Sequence, residues 1–208
     1  TKTQARPAAQ RLPDNIRLAL RRYFPTETSA RSAAYYALPE HLALLRLRSE
    51  AESRMLRWND VAEDLQKELG DLAVRVTETT AFSNAYELEV LLHEDAEFPA
   101  KDADIFNNLK QPVRTARIVA SFLLPYWTIV FRRWRRNNKG NLVIATVPQQ
   151  GRHSTRVANV AKKILKKHGW KKIPPNLAQT KIPGIDLQSI SEGDVRVADI
   201  VFGEQHSS

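Results

Sequence analysis

The sequence contains no cysteine among its 208 residues, and this absence excludes several classes of protein. A disulfide scaffold, a thiolate zinc site, an iron–sulfur cluster and a cysteine nucleophile all need the missing thiol. A chain without cysteine is compatible with a reducing compartment, and we predict a cytoplasmic protein.

Long apolar runs are also missing. The longest mainly apolar stretch, residues 118–124, is far shorter than the ~20 residues that span a bilayer. The first ten residues are polar, unlike the apolar segment of a secretory signal. We therefore expect no membrane span. Hydrophobic residues nevertheless make up 42% of the chain, which is enough for a buried core and argues against global disorder.

Sequence motifs for catalysis and metal binding are absent. The five histidines show no ligand spacing, and neither a nucleophile elbow nor a dinucleotide or phosphate-loop fingerprint occurs. The only carboxylate of note is Asp199, which lies among apolar neighbours and could be buried or face solvent. We predict no catalytic residue, metal site or cofactor, so the sequence favours a binding protein over an enzyme.

Charge is unevenly distributed along the chain. Residues 1–36 hold 7 basic and 2 acidic side chains, residues 37–110 hold 8 and 16, and residues 111–208 hold 17 and 5. The overall charge is +9. A basic half joined to an acidic middle indicates either a surface that binds anions or complementary charge within the fold.

Helical patterns dominate the first third of the chain. We predict a flexible basic arm over 1–12, followed by one domain over 13–208 that is helical over 13–70. Its longest helix is predicted over 39–69, with a heptad seam over 51–69. The members of this seam are Ala51, Met55, Trp58, Ala62, Leu65 and Leu69. The seam is expected to pack within its own domain, with a partner helix as the alternative.

Strand patterns dominate the remainder, residues 71–208. Alternation predicts strands over 72–76 and 86–92 with one wet face, then over 122–136, 142–147 and 195–202. A basic helix is predicted over 154–168. The fold class is therefore α+β: an antiparallel or mixed sheet of about five strands, packed against the long helix of the N-terminal half and the basic helix of the C-terminal half.

Two basic elements are candidate contacts for a polyanion. Residues 131–136 read Phe-Arg-Arg-Trp-Arg-Arg, and the polar face of the basic helix carries five cations with Trp170 beyond its end. Guanidinium and ammonium groups suit phosphate, and aromatic rings suit base stacking. The predicted phosphate contacts are Arg132, Arg133, Arg135, Arg136, Arg152, Arg156, Lys162, Lys163, Lys166 and Lys167, with Trp134 and Trp170 for stacking. Alternatively, these cations are solvated or pair with the acidic middle of the chain.

The loop before the basic helix is a further candidate. Gly151, His153 and Ser154 stand where a helix N-terminus could offer backbone N–H groups to an anion. A plain N-cap by Ser154 is the alternative.

We therefore expect a non-catalytic protein that binds a polyanion, with nucleic acid as the first candidate. The alternative is a protein-interaction module, such as an immunity or inhibitor-type protein, that binds and blocks a partner through the acidic segment 87–104 or the seam 51–69. An enzyme that acts on a phosphorylated small molecule near His153 is the third hypothesis.

Overall fold

The fold is α+β, as predicted, in a computed structural model that describes residues 12–26, 28–77, 83–99, 102–105, 112–191 and 193–203. Residues 1–11 of the predicted arm lie outside these ranges. The α-helices are α1 (Asp14–Tyr23), α2 (Pro39–Ser53), α3 (Met55–Leu69), α4 (Arg152–Lys167), α5 (Pro175–Ala178) and α6 (Val197–Phe202), with short 3₁₀ helices at Ala33–Ala37 and Asp102–Asp104. The strands are β1 (Val74–Thr77), β2 (Ala85–Leu91), β3 (Val113–Ser121), β4 (Tyr126–Arg136), β5 (Leu142–Val147) and β6 (Lys171–Lys172). Among the described helices, none has both the length and the apolar composition that a membrane span requires.

The sheet is an antiparallel meander in which β1 to β5 lie in chain order. The two-residue strand β6 pairs in parallel with Tyr126 and Trp127 of β4. Strand β5 pairs along its whole length with the second half of β4, from Phe131 to Arg136. Because β5 and β6 pair with different halves of β4, they together form one border of the sheet.

One face of the sheet packs against α3 and α4. The predicted seam lies here: Trp58, Leu65 and Leu69 are fully buried, and the indole N–H of Trp58 donates to the carbonyl oxygen of Glu87 at 3.1 Å. Val157 and Ala161 of α4 fill the same core. The seam therefore packs within its own domain, as expected.

The predicted continuous helix over 39–69 is in fact two helices. The chain leaves helical geometry at Arg54, which has φ −94° and ψ 9°. Just before it, the Ser53 hydroxyl donates to the carbonyl oxygen of Glu50 at 2.7 Å. Such side-chain bonds compete with the helical backbone, and the break turns α3 onto the sheet while α2 continues along its margin.

The opposite face of the sheet is covered at both ends. Ala85 and Val119 pack against α1, α6 and the segment around Ile182, while Trp134 packs with Ile105 at the other end. The strand β2 is consequently buried along its whole length. The prediction of one wet face is wrong for β2, because elements distant in sequence cover it.

Between these covered ends, two glutamates of β2 form a buried ionic network. The Arg117 guanidinium donates from Nε to Oε2 of Glu87 at 2.7 Å, and Arg75 donates to Oε2 of Glu89 at 2.7 Å. The Thr115 hydroxyl donates to Oε1 of Glu89 at 2.9 Å and accepts the indole N–H of Trp134 at 3.0 Å. Glu87 and Glu89 are each only 4% exposed, so this network neutralises two carboxylates inside the domain.

Two elements differ from the predicted pattern. No strand is predicted over β3, and a strand is predicted over 195–202 where α6 forms. In α6, the Asp199 carboxylate accepts the backbone N–H of Arg196 at 2.7 Å as part of a capping box. Most residues of α6 and of the second half of β3 are buried, so the periodicity that separates helix from strand is lost.

The Glu87–Arg117 pair gives a direct stability test. Removing one partner of a buried ion pair costs about 3–5 kcal/mol, so we expect Arg117→Met to lower the free energy of unfolding by that amount. The control is Arg54→Met, which breaks the solvent-exposed pair with Glu50 and should cost no more than about 1 kcal/mol. Urea unfolding followed by circular dichroism measures both. Equal losses in the two variants would contradict the structural role of the buried pair.

Candidate functional site

The predicted basic helix exists as α4, and one flank of it faces acidic side chains of α3 and nearby loops. Lys167 Nζ lies 2.7 Å from Oδ2 of Asp64, and Lys163 Nζ lies 2.8 Å from Oε1 of Glu68. We call the whole row of contacts the charge ladder. Its members are Lys167 and His168 with Asp64, Lys163 with Glu68, Arg156 with Asp71, and Arg152 and His153 with Glu94.

The charge ladder engages four of the predicted phosphate contacts. Lys163, Lys167, Arg152 and Arg156 each face a carboxylate, which corresponds to the alternative interpretation for these residues. Exposed ion pairs contribute only about 0–1 kcal/mol each. Their main effect is therefore to cancel charge along this flank.

The ladder shifts the ionisation of its acids. Hydrogen bonds from Lys167 and His168 lower the pKa of Asp64 to about 2. A hydrogen bond from Arg156 lowers the pKa of Asp71. Both carboxylates are consequently ionised whenever the domain is folded near neutral pH.

The other flank of α4 carries the exposed lysines Lys162 and Lys166. Neighbouring residues on a helix are about 100° apart around its axis, so these lysines are rotated away from Lys163 and Lys167. Since α4 packs on β3, β4 and β6 while α3 packs on β1, the flank turned away from α3 faces the border formed by β5 and β6.

Three more cations lie on the same side of the sheet. Strand alternation places Arg133 and Arg135 on the face of Phe131, which packs under the helices. Lys172 of β6 lies opposite Trp127, with its Nζ 5.7 Å from the ring centroid. We call these three residues together with Lys162 and Lys166 the basic strip. Lys172 is not among the predicted contacts, because only the sheet register brings it beside β4.

Acidic residues are missing from the part of the sequence that supplies the basic strip. No Asp or Glu occurs between Asp104 and Asp186, a stretch that contains 17 Lys and Arg residues. The ladder acids all come from before this stretch. Opposite Arg133 and Arg135, strand β5 presents the uncharged residues Ala145 and Val143.

Other predicted contacts lie on the opposite face of the sheet. Arg132 is adjacent to the buried network: desolvation and the positive charge of Arg117 lower its pKa, while Glu87 and Glu89 act in the other direction. Arg136 projects on the same face at the exposed end of β4. The structure thus divides the four arginines of this strand between two surfaces.

The predicted stacking residues are held by internal contacts, Trp134 fully buried and Trp170 half-buried. Trp134 is 2% exposed and donates to Thr115. Trp170 packs edge-on against Trp58, with ring centroids 5.9 Å apart, and donates to the carbonyl oxygen of Ser121 at 2.8 Å. Neither indole is presented on the surface as a platform for a base.

The candidate anion loop also has an internal partner. Arg152 and His153 both contact Oε1 of Glu94, so a carboxylate of the chain itself lies at this end of α4. Gly151, with φ 87°, is the N-cap residue. The Ser154 hydroxyl instead donates to the carbonyl oxygen of Gln150 at 2.7 Å, and the alternative of a Ser154 N-cap is wrong.

The remaining candidate residues take part in packing or capping within the fold. The seam 51–69 packs into the core, and Glu87 and Glu89 of the acidic segment are buried. The Asp199 side chain caps α6. The described residues contain no group of three or more His, Asp or Glu side chains that could hold a metal ion.

Comparisons of the chain with protein-family models, with curated proteins and with solved structures find no match.

The Asp64 contacts predict a measurable titration. Because the folded pKa is about 2, below the usual aspartate value of 3.8, Asp64 stabilises the fold above the unfolded pKa. That stabilisation is lost as pH falls through the folded pKa. Carboxyl carbon NMR should show Asp64 titrating near the lower value in the wild type. In Lys167→Met the pKa should rise toward 3.8, and an unchanged titration would contradict the ladder contact.

Proposed function

We propose that this protein is a non-catalytic nucleic-acid-binding protein that holds the phosphate backbone with the basic strip. The observation that carries the proposal is the division of α4 into two flanks. One flank is neutralised by the ladder acids, while the other presents Lys162 and Lys166 on the same side of the sheet as Arg133, Arg135 and Lys172. Cations gathered on one surface without acids from their own part of the chain favour a polyanionic partner.

The burial of the tryptophans favours a duplex over a single strand as the nucleic acid that binds. Binding to single strands commonly depends on exposed aromatic rings that stack on bases. Three of the four tryptophans, Trp58, Trp127 and Trp134, are each at most 2% exposed, and the half-buried Trp170 is held by its bond to Ser121. Contacts from lysine and arginine alone hold the backbone without reading bases. We therefore expect a duplex to bind at least as tightly as a single strand, with little sequence preference.

Salt dependence provides a quantitative expectation. Each phosphate neutralised on a duplex contributes about −0.9 to the slope of log K against log salt. Five contacts from the basic strip should give a slope of about −4 to −5. Fluorescence anisotropy with labelled duplex DNA, duplex RNA and single-stranded DNA at several salt concentrations measures both affinity and slope.

Two double variants with the same net charge distinguish the flanks of α4. Lys162→Gln with Lys166→Gln removes two strip cations and should reduce the magnitude of the salt slope by about 2. Lys163→Gln with Lys167→Gln removes two ladder cations and should leave the slope nearly unchanged. Equal effects in both variants would show that only overall charge matters, and no binding by the wild type at low salt would overturn the proposal.

A further inference from the structure

A pocket of about 240 Å³ opens on the molecule between α1, the 3₁₀ helix Ala33–Ala37, α2 and the segment around Leu187. It is formed by elements other than those of the basic strip. A dry cavity of about 150 Å³ is large enough to bind benzene, so this pocket has room for a substituted or bicyclic ring. Phe24 and Leu44, which are almost fully buried, supply apolar walls.

Three rings are gathered in the wall of the pocket. The centroids of Tyr35 and His41 are 4.8 Å apart, those of Tyr36 and His41 are 5.3 Å apart, and the two tyrosine rings meet edge to face at 5.9 Å. Tyr36 is 47% exposed and Tyr35 is 6% exposed, so the cluster extends from solvent into the interior. A wall of this composition favours a planar apolar group. Such a group buries apolar surface and packs its ring against the rings of the wall.

A fixed positive charge also lines the pocket. The Arg48 guanidinium donates from Nε and Nη2 to Oδ1 of Asn84 at 3.1 and 3.0 Å, and the Asn84 amide in turn donates to the carbonyl oxygen of Ile200 at 2.9 Å. These bonds anchor Arg48 to the core. A guanidinium held in an apolar wall favours an anionic group over a neutral one.

The His41 imidazole contacts the rings of Tyr35 and Tyr36 and lies near the Arg48 guanidinium. Burial and the neighbouring Arg48 lower the pKa of His41, so the imidazole is neutral at pH 7 and the cation of the pocket is Arg48. His41 Nδ1 is buried and makes no hydrogen bond to any residue in the described ranges. Buried polar atoms that lack a partner are rare in folded proteins, and an apolar pocket with a few convergent polar groups is typical of a ligand site.

We propose that this pocket binds a small planar carboxylate, with its ring against Tyr35, Tyr36 and Leu44 and its carboxylate toward Arg48 and His41. This pocket shares no residue with the basic strip, so binding at one site does not require binding at the other. The ligand class is an aromatic acid of one or two rings.

Two probes that differ only in charge test the ligand class. We would titrate the protein with 2-naphthoate and with its neutral analogue 2-naphthamide, and follow the methyl resonances of Leu44 and Leu187 by NMR. Ring currents should shift these methyl groups, and the carboxylate should bind about tenfold more tightly than the amide because of the charge on Arg48. Equal affinities would overturn the assignment of a carboxylate, and no saturable shift with either probe would overturn the site.

Two variants of α2 test the location. Leu45 lines the pocket and is 43% exposed, whereas Leu42 is 42% exposed and is not part of the lining. Leu45→Trp should fill the mouth and weaken naphthoate binding by about tenfold or more, while Leu42→Trp should leave it unchanged. Both positions are at the surface, so the core is preserved. Equal affinity in the two variants would place the naphthoate elsewhere and overturn the proposal.

Discussion

The burial of Glu87 and Glu89 in the middle of β2 is the constraint on which the rest of the structure depends. Two carboxylates beneath covering elements would cost several kcal/mol each without compensation, so Arg117 and Arg75 must reach them from the neighbouring strands. That requirement fixes the register of β1, β2 and β3, since a slip by one residue would exchange the two faces of the sheet. Once the register is fixed, Leu88 and Val90 face α3 and α4, and the helices have a continuous apolar surface on which to pack.

The same strand order determines where positive charge accumulates. The helix α3, which carries the acids, lies on the β1 side, and α4 lies next to it, so only one flank of α4 can meet carboxylates. The other flank faces the border of β5 and β6, where the neighbouring strands supply arginine and lysine. Helical periodicity thus divides a single basic segment into a paired side and an open side, and this division carries the proposed binding to nucleic acid.

The sequence predicted the features that depend on local periodicity. The heptad seam around Trp58, the α4 helix, and the alternation that separates Arg133 from Trp134 are all present in the structure. Where both faces of an element are buried, as in β3 and α6, periodicity disappears and the predictions failed. The break at Arg54 lies beside a local bond between the Ser53 hydroxyl and the carbonyl oxygen of Glu50, which periodicity does not report. The ladder partners of Lys163 and Lys167 are 95 and 103 residues away in the chain, so pattern reasoning could not tell the paired lysines from the open ones.

The long stretch without acidic residues follows the acidic segment of the chain, and this order matters during synthesis. During synthesis the N-terminal part emerges first, so α3 and the glutamates of β2 leave the ribosome before Arg117 and the basic residues of α4. The basic residues therefore meet carboxylates that are already outside, in a compartment crowded with ribosomal RNA. With the reverse order of segments, the nascent chain would be a bare polycation beside that RNA. The order of charge along the sequence thus places most of the carboxylates ahead of the long basic stretch that they neutralise in part.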